Sequence, residues 1–554
     1  MDTVRIFALG GLDEDGKNLY VVEVNQDIFV IEAGIKYPDI EQLGIEMIIP
    51  DMKYLVENKD RVRGIFITHA HDDAMAALPY LLKLAPLPIY TTPLSAVMIE
   101  EMLKKANIKD VKIHRIKRNG KFAIGKVNIR TFGLTHSIAD AFGLSIETDQ
   151  GAVVYAGEYI IDLNARNAAF ACDISEFAEI GKKGVLALLS ESVYAEKPGF
   201  TAPNHRITEE IENSIEDARG RIFITLYEQN LYRLIEVIEL ANKYKKKIYF
   251  NNENQRNLLR QVEKLGYYHV PAGLELSAEK FTNDFTNVII IVSASGPNVF
   301  RVMHRITTSE DNKIELHLDD TVIIASPVVP GTELEAGQME NELYKEGVKV
   351  VTLDRKKILS MHASSEDIKM LLFLLKPKYF VPIHGEYRQM VVNANVALES
   401  GYLADRIVVL DNGQVALFED KILKNTSTIL PLEDLMIDGN ESLDISGMVL
   451  KDRVSLSTDG AIIVGVVVNF ATKEVIGGPD VQSRGFIYLK DADYIVKEIG
   501  NMVERIIIDA VSAGKYENMA VRMEAKDKIT RYVFKETGKH PMILPVIVEI
   551  NISE

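Results

Sequence analysis

The chain has 554 residues, of which 47% are hydrophobic and 26% charged, with a formal net charge of -17. That length exceeds one ordinary core and predicts about two to four domains, and the acidic balance excludes a broad basic face for duplex DNA, so any polyanion must be held by a few arginines, lysines and backbone amides. No apolar run could span a bilayer, no charged-then-apolar leader follows Met1, Asp2 and Arg5, and a single cysteine, Cys172, allows neither an internal disulfide nor a thiolate zinc finger; a soluble cytoplasmic protein with no membrane partner is expected, with Cys172 a packed thiol.

Along the chain, short apolar runs that end in polar residues alternate with helical periodicity. Residues 20–24 and 28–32 read as strands, and the run Gly64-Ile65-Phe66-Ile67 leads into Thr68-His69-Ala70-His71-Asp72-Asp73-Ala74. Side chains two apart share one side of an extended chain, so His69 and His71 can point the same way, with Asp73 placed for a second ion or a water. Strand-like residues 127–132 precede Leu134-Thr135-His136-Ser137, residues 153–156 precede Gly157-Glu158, and residues 185–189 precede Ser190-Glu191-Ser192. Beyond a boundary near residue 205 come a charged helix at 209–217 and a second βαβ layer, with strands at 221–226, 248–251, 288–293, 322–326 and 348–353 and a helix at 231–244. Residues 379–382 then lead into His384, so site-forming segments bracket the second layer, which reads as an inserted domain. Residues 425–434 read as a linker, and residues from 449 onward as a separate unit whose apolar strands at 462–468 and 546–550 suit an interface.

His69, His71, Asp73, His136, Glu158 and His384 form the candidate metal-ligand set. Three or more histidines with bridging carboxylates can bind two divalent ions about 3.5 to 4 Å apart, an arrangement that activates water and clamps a phosphate. A single histidine at a strand end is more often structural; six ligands in this order reverse that reading. His114, His205, His269, His304, His317 and His540 read as surface or packing residues.

The metal loop approaches the His-x-His-x-Asp-His signature of the metallo-β-lactamase superfamily. The order Leu9-Gly10-Gly11, Gly16-Lys17-Asn18, His69-x-His71, Thr135-His136-Ser137, Gly157-Glu158, Ser190-Glu191-Ser192, Pro198-Gly199-Phe200-Thr201, Pro382-Ile383-His384-Gly385-Glu386-Tyr387-Arg388, Gly478-Pro479-Asp480 and Ser483-Arg484-Gly485-Phe486 resembles the ribonuclease J family over essentially the whole chain. The resemblance implies a metallo-β-lactamase αββα sandwich in two parts (residues 1–205 and 351–424), an inserted β-CASP α/β domain (206–350), a linker (425–448) and a small C-terminal α/β domain (449–554) for dimerisation or partner contact. It further implies RNA processing and decay by 5'-to-3' exonucleolytic and endonucleolytic cleavage. His362, Ala363, Ser364, Ser365 and Glu366, with Ser293, Ser295 and Gly296 in the insert, match stretches that grip RNA phosphate, and Asp73, Glu191 and Glu366 are the implied catalytic residues.

The chain departs from the family pattern where chemistry happens. Glu32-Ala33-Gly34 stands for Asp-Ala-Gly, Ala74 for a histidine, Glu158 for the bridging aspartate, and Glu366 for the histidine expected to protonate the leaving oxygen. These changes are similar to those of a second, weakly active or inactive ribonuclease J paralogue. His69, His71 and His136 can still hold one ion, while Asp73, Glu158 and His384 make a harder set that favours manganese or magnesium over zinc, so at most one ion or none is expected. Lengthening the bridge by a methylene misplaces it by about 1 Å, which can cost about a hundredfold in rate. An anionic Glu366 would repel the phosphodiester. The partners expected are RNA, an active paralogue and a second copy of the chain. Two other readings stay open: a working nuclease with altered metal preference, and a lactamase-like small-molecule hydrolase, the latter disfavoured by the insert and the C-terminal unit. Lys245-Lys246-Lys247 and Arg355-Lys356-Lys357 are candidate RNA-backbone contacts, the first more simply a solvated helix end.

Overall fold

The computed structural model describes residues 2–39, 42–165, 167–296, 298–328, 332–353, 361–439, 441–442, 448–486 and 493–551. Two compact units emerge, Met1–Tyr37 with Met47–Leu435, and Pro38–Glu46 with Met436–Glu554. The first contains two sheets packed face to face. One runs in the order Ile422–Ile429, Gln414–Glu419, Val4–Gly10, Leu19–Val24, Asp27–Ile31, Val62–Ile67, Ile89–Thr91, Ile113–Arg115. The other runs Tyr379–Ile383, Val185–Glu191, Ala152–Ala156, Phe142–Ile146, Val127–Gly133, Gly120–Ile124. Alternation along each strand sends every second side chain inward, so Val4, Ile6, Tyr20, Val22, Phe29 and Ile31 meet Leu144, Val153, Tyr155, Leu189 and Val381 in one buried layer. The opposite face of the six-stranded sheet carries Phe132, Val154, Leu188 and Phe380, covered by helices Ile174–Lys183, Ser365–Leu375 and Tyr387–Glu399. This is the expected metallo-β-lactamase sandwich. Its functional consequence lies in strand order: His69, His136, Glu158, Glu191 and His384 all stand at or just past the ends of core strands, and in register Glu191 faces Ile383 while Ala156 faces Ser190.

The insert is a parallel sheet in the order Lys247–Phe250, Val288–Ala294, Ile222–Tyr227, Thr321–Ile324, Lys349–Thr352. Its central strands read as near-continuous apolar runs because helices cover both faces, among them Leu231–Lys243, Glu253–Lys264 and Asn298–Thr307. A buried ion pair ties two of its strands. Arg221 Nη2 lies 2.5 Å and Nε 3.0 Å from the Asp320 carboxylate, with both residues 2% exposed or less. Removing one partner strands the other charge away from water, so Asp320→Ala is expected to destabilise the protein by about 3 to 5 kcal/mol, read by thermal or urea denaturation. A loss below about 1 kcal/mol would show that solvent reaches the pair.

The reading of residues 425–434 as a linker needs correcting at its start. Strand Ile422–Ile429 runs through it and pairs Leu417 with Asn425. Its mostly polar, exposed side chains are those of a sheet edge, which explains the loop-like composition.

In the second unit, strand Ala461–Asn469 lies between antiparallel Val475–Arg484 and parallel Met542–Ile550. Helices Asp493–Ser512 and Asn518–Thr537 cover one face, packing Ile495, Ile499, Val503, Val521, Ile529 and Val533 on Ile462, Val464, Val466 and Ile547. The other face leaves Ile463, Leu544, Val546 and Val548 exposed. Among the described residues no helix is long and apolar enough to cross a membrane.

Candidate metal centre

The loop after strand Val62–Ile67 is fixed by main-chain hydrogen bonds to the segment after strand Asp27–Ile31. Ala33 N donates to Ala74 O (2.7 Å), Ile35 N to Asp72 O (3.1 Å), Asn18 N to Asp73 O (3.2 Å) and Ala77 N to Ala33 O (2.8 Å). A Cβ on Gly34 would stand 1.4 Å from Asp73 O, so only glycine permits this approach. The short helix Asp72–Met75 begins here.

His69, His71, His136 and Glu158 offer ligand atoms that all lie within 4.8 Å of one another, and Asp73, Glu158 and His384 form a second such group. Glu158 joins the two. Its Oε2 lies 3.1 Å from His136 Nε2, 3.5 Å from His69 Nε2 and 4.0 Å from His71 Nδ1, and its Oε1 lies 3.4 Å from His384 Nδ1. On each imidazole the other nitrogen has a partner: His69 Nδ1 meets Thr68 Oγ1 (3.1 Å), His71 Nε2 meets Ser137 Oγ (3.2 Å), His136 Nδ1 meets Met361 O (3.1 Å) and His384 Nε2 meets Asp15 Oδ1 (3.3 Å). Outer partners of this kind orient metal-binding histidines. His384 itself sits at φ +49°, a conformation unusual for a non-glycine residue. Its N–H to Gly11 O (3.0 Å) and its carbonyl to Ser192 N (2.9 Å) hold it there.

The electrostatics fit a cation. His69 Nε2 is buried without a hydrogen-bond partner and aims at Glu158. Burial and the neighbouring Glu158 push Asp73 well above the usual carboxylate range. Glu158 is held well below it, because the charge of His69, the hydrogen bond from His136 and the charge of His384 outweigh burial. Burial, together with His136 and His69, drives His71 well below the ordinary imidazole value. Three imidazoles and a carboxylate suit one divalent ion. The second group has three ligands, and Ala74, next to Asp73 in the chain, is fully buried.

His362 and Glu191 form a separate pair beside this cluster. His362 Nδ1 lies 2.5 Å from Glu191 Oε2, and its ring centroid is 6.0 Å from His136 and 5.7 Å from His384. Glu191 is completely buried, and its Oε1 accepts from Tyr159 N (2.7 Å) and Ala363 N (3.1 Å). Burial disfavours the charged imidazole of His362, yet the charge and hydrogen bond of Glu191 raise it above the ordinary value. Glu191 therefore orients His362 rather than facing the ligand groups.

Glu366 is the residue expected at the position of the proton-donating histidine. It stands in the first turn of helix Ser365–Leu375, with its side chain 42% exposed and its carboxylate 2.9 Å from Lys369 Nζ. The side chain of this segment that enters the cluster is His362. The amides of the same loop are also occupied: Ala363 N by Glu191, Ser364 N by Asp367 Oδ2 (3.0 Å), Ser365 N by Lys197 O (3.0 Å) and Glu366 N by Gly199 O (3.1 Å). Ser364 Oγ lies 2.7 Å from Thr201 Oγ1. A phosphate cradle made of these amides is therefore not available.

Glu32 is a support and not a ligand. It is fully buried, pushed up to about 7 by burial, and accepts from Thr68 N (3.2 Å) and the Thr68 hydroxyl behind His69. In the insert, Ser293 Oγ is buried without a partner at the end of strand Val288–Ala294, and Ser295 and Gly296 follow. Gly296, at φ +49°, closes on the Tyr37 ring of the first sandwich, where a Cβ would lie 3.1 Å from it. Lys245-Lys246-Lys247 fall at the start of strand Lys247–Phe250, the opposite end of a parallel sheet from Ser293, and Lys247 Nζ is engaged by Gly273 O. Arg355-Lys356-Lys357 lie outside the described residues.

Sequence reasoning missed Asp15 as the partner of His384, and Asn18, whose Nδ2 lies 3.3 Å from Asp73 Oδ2 and 3.5 Å from His384 Nδ1. The Gly16-Lys17-Asn18 turn was visible but carried no ligand-type pattern. Also missed was Asp72, clamped by Tyr37 OH (2.8 Å) and Gln229 Nε2 (3.1 Å), so that the insert touches the metal loop directly.

Comparison with known proteins gives a consistent result. The family model described as Ribonuclease J C-terminal domain matches residues 448–550, Ribonuclease J, beta-CASP domain matches 219–343, Beta-lactamase superfamily domain matches 38–169, and Zn-dependent metallo-hydrolase RNA specificity domain matches 347–405. The chain is 33% identical over 552 residues to Ribonuclease J2 of Bacillus subtilis (strain 168), covering 99% of each. It is 31% identical over 549 residues to Ribonuclease J 2 of a Staphylococcus epidermidis strain (ATCC 12228), covering 99% of this chain and 98% of that one. A crystal structure of a protein of unknown function from Enterococcus faecalis V583 aligns with a TM-score of 0.53 at 17% identity, over 76% of this chain and 100% of that chain, which shows likeness of fold alone.

Proposed function

The chain belongs to the ribonuclease J family of RNA-processing proteins, and from that premise we propose that it hydrolyses RNA phosphodiesters slowly, with one well-formed metal position and one weak one. The observation that carries this reading is the His362–Glu191 pair standing beside a three-histidine group bridged by Glu158; the alanine at 74, where the family pattern has a histidine, is the reason for taking the second position as weak. His69, His71, His136 and Glu158 would hold a divalent ion, which when bound would supply positive charge against the phosphodiester and acidify a water. His362, anchored through Nδ1, presents Nε2 to the leaving oxygen as proton donor, and Glu191 stabilises its charged form. Asp73 and His384, with Glu158, would hold the weaker ion, and their carboxylates would suit manganese or magnesium. Ser293, Ser295 and Gly296 face RNA phosphate from the insert, a role supported by the unpartnered Ser293 hydroxyl.

The protein acts in the cytoplasm, as a homodimer alone and as a heteromer with an active paralogue whose cleavage it modulates. The apolar open face of the C-terminal sheet, at Ile463, Leu544, Val546 and Val548, supports association. The test is elemental analysis of the purified chain together with hydrolysis of 5'-monophosphorylated RNA in manganese and in magnesium. At most one tightly held ion per chain and slow, manganese-dependent cleavage are expected. Two tightly held ions, or turnover equal to that of an active ribonuclease J, would overturn the one-strong, one-weak reading.

A further inference from the structure

The segment that follows strand Val185–Glu191 runs beside the loop that carries His362, and the two are joined through their main chains. Lys197 N donates to Tyr194 O (2.8 Å), Ser365 N donates to Lys197 O (3.0 Å), and Tyr194 and Ser364 form an isolated parallel bridge. On this frame the Tyr194 ring meets the His362 imidazole edge to face, with centroids 5.5 Å apart and planes at 86°. Lys197 Nζ lies 3.0 Å above the centroid of the same tyrosine. The aromatic ring thus links an ammonium group to the imidazole that stands over the ligand groups. Tyr194 is also close enough to Tyr227, at the end of the insert's strand Ile222–Tyr227, to add to the effect of burial in raising that phenol.

We propose that Lys197 is a contact for a phosphate of the RNA strand, held by Tyr194 beside the imidazole of His362. This rests on the RNA-hydrolysis reading given above and adds the residue that meets the substrate's charge. A polyanion entering a chain of net charge -17 needs a cation or a set of free amides at the cleavage point. The amides of residues 363–366 are taken, so the loop itself provides no anion seat. Basic side chains of the adjoining segments are already paired: Arg388 with Glu196 and Lys369 with Glu366. Among the described residues no carboxylate lies within ion-pair distance of Lys197, and both Lys197 and Tyr194 are partly exposed. Burial pushes the Lys197 ammonium down to about 8, with the charge of Glu196 acting the other way. A phosphate oxygen on its open side would supply the counter-charge that the fold withholds.

Tyr194 is a positioning residue in this scheme, because a cation on an aromatic face is localised without being neutralised. The test measures binding of a 3'-labelled, 5'-monophosphorylated oligouridylate with cleavage-resistant phosphorothioate linkages to the full-length, manganese-loaded protein across a series of potassium chloride concentrations. Each phosphate contact on a single strand contributes about 0.7 to the slope of log affinity against log salt. Lys197→Gln is expected to lower that slope by about 0.7 and, with the all-phosphate oligouridylate as substrate, to raise KM more than it lowers kcat, while Lys197→Arg keeps the slope. Tyr194→Phe should behave like the parent, and Tyr194→Leu should move towards Lys197→Gln. An unchanged slope in Lys197→Gln, with the parent binding RNA, overturns the proposal alone. Absence of RNA binding by the parent at low salt would instead overturn the RNA-hydrolysis reading and the proposal with it.

Discussion

Replacing His362 with alanine is expected to lower RNA hydrolysis by about 10² to 10⁴-fold, the usual contribution of a positioned general acid or base. Glu366→Gln should change it by less than about threefold, as expected for a surface side chain away from reacting atoms. The contrast follows from position: His362 is fixed by a buried carboxylate at 2.5 Å and stands over the ligand groups, whereas Glu366 pairs with Lys369 on a helix surface. A pH profile gives a second readout. A proton donor is active when protonated, so activity is lost as pH rises through the folded value of His362, which Glu191 places above the ordinary 6.5. Glu191→Gln removes the stabilising charge and should shift that limb to lower pH. If Glu366→Gln abolishes turnover while His362→Ala does not, the donor has been misassigned.

The second large effect concerns metal stoichiometry. The double variant Ala74→His with Glu158→Asp is expected to raise the ions held per chain from one to two, and the rate by about a hundredfold, the scale of an ångström-sized correction in placement. Ala74 is fully buried, so an added imidazole needs space, and overpacking a closed site is destabilising. Glu158 reaches from the three-histidine group to His384 with one carboxylate, and an aspartate there gives the shorter bridge that the family resemblance implies. Each single change should therefore recover much less than the pair, because groups that act as a unit are not additive. Elemental analysis beside steady-state hydrolysis reads both quantities. Full recovery from Ala74→His alone would mean that Glu158 already bridges correctly.

Much of this was legible in the sequence because burial writes itself into composition. The runs ending at Ile67, Gly133, Ala156, Glu191 and Ile383 are apolar on account of packing between layers, so the polar residues beyond them mark the site before any fold is known. What stayed hidden depends on direction in space. That the Glu191 carboxylate meets His362, 171 positions away, is a tertiary fact with no local trace. The local setting of Glu366 was readable in advance: Ser364 and Asp367 form a capping box, with Ser364 N donating to Asp367, so the helix starts before Glu366 and leaves its side chain partly exposed. The edge strand Ile422–Ile429 was read as a linker because a solvated edge and a loop share the same polar residues.

The metal loop is registered by main-chain bonds at Ala33, Ile35 and Asn18 and by the bare Cα of Gly34, none of which depends on the identity of the side chains at 73 and 74. Folding and ligand chemistry are thus written in different parts of the same segment. The side chains at 73 and 74 can therefore be exchanged without loss of the loop's register. Changes in ligand chemistry at this loop are in that way open to substitution alone, without the protein passing through an unfolded form.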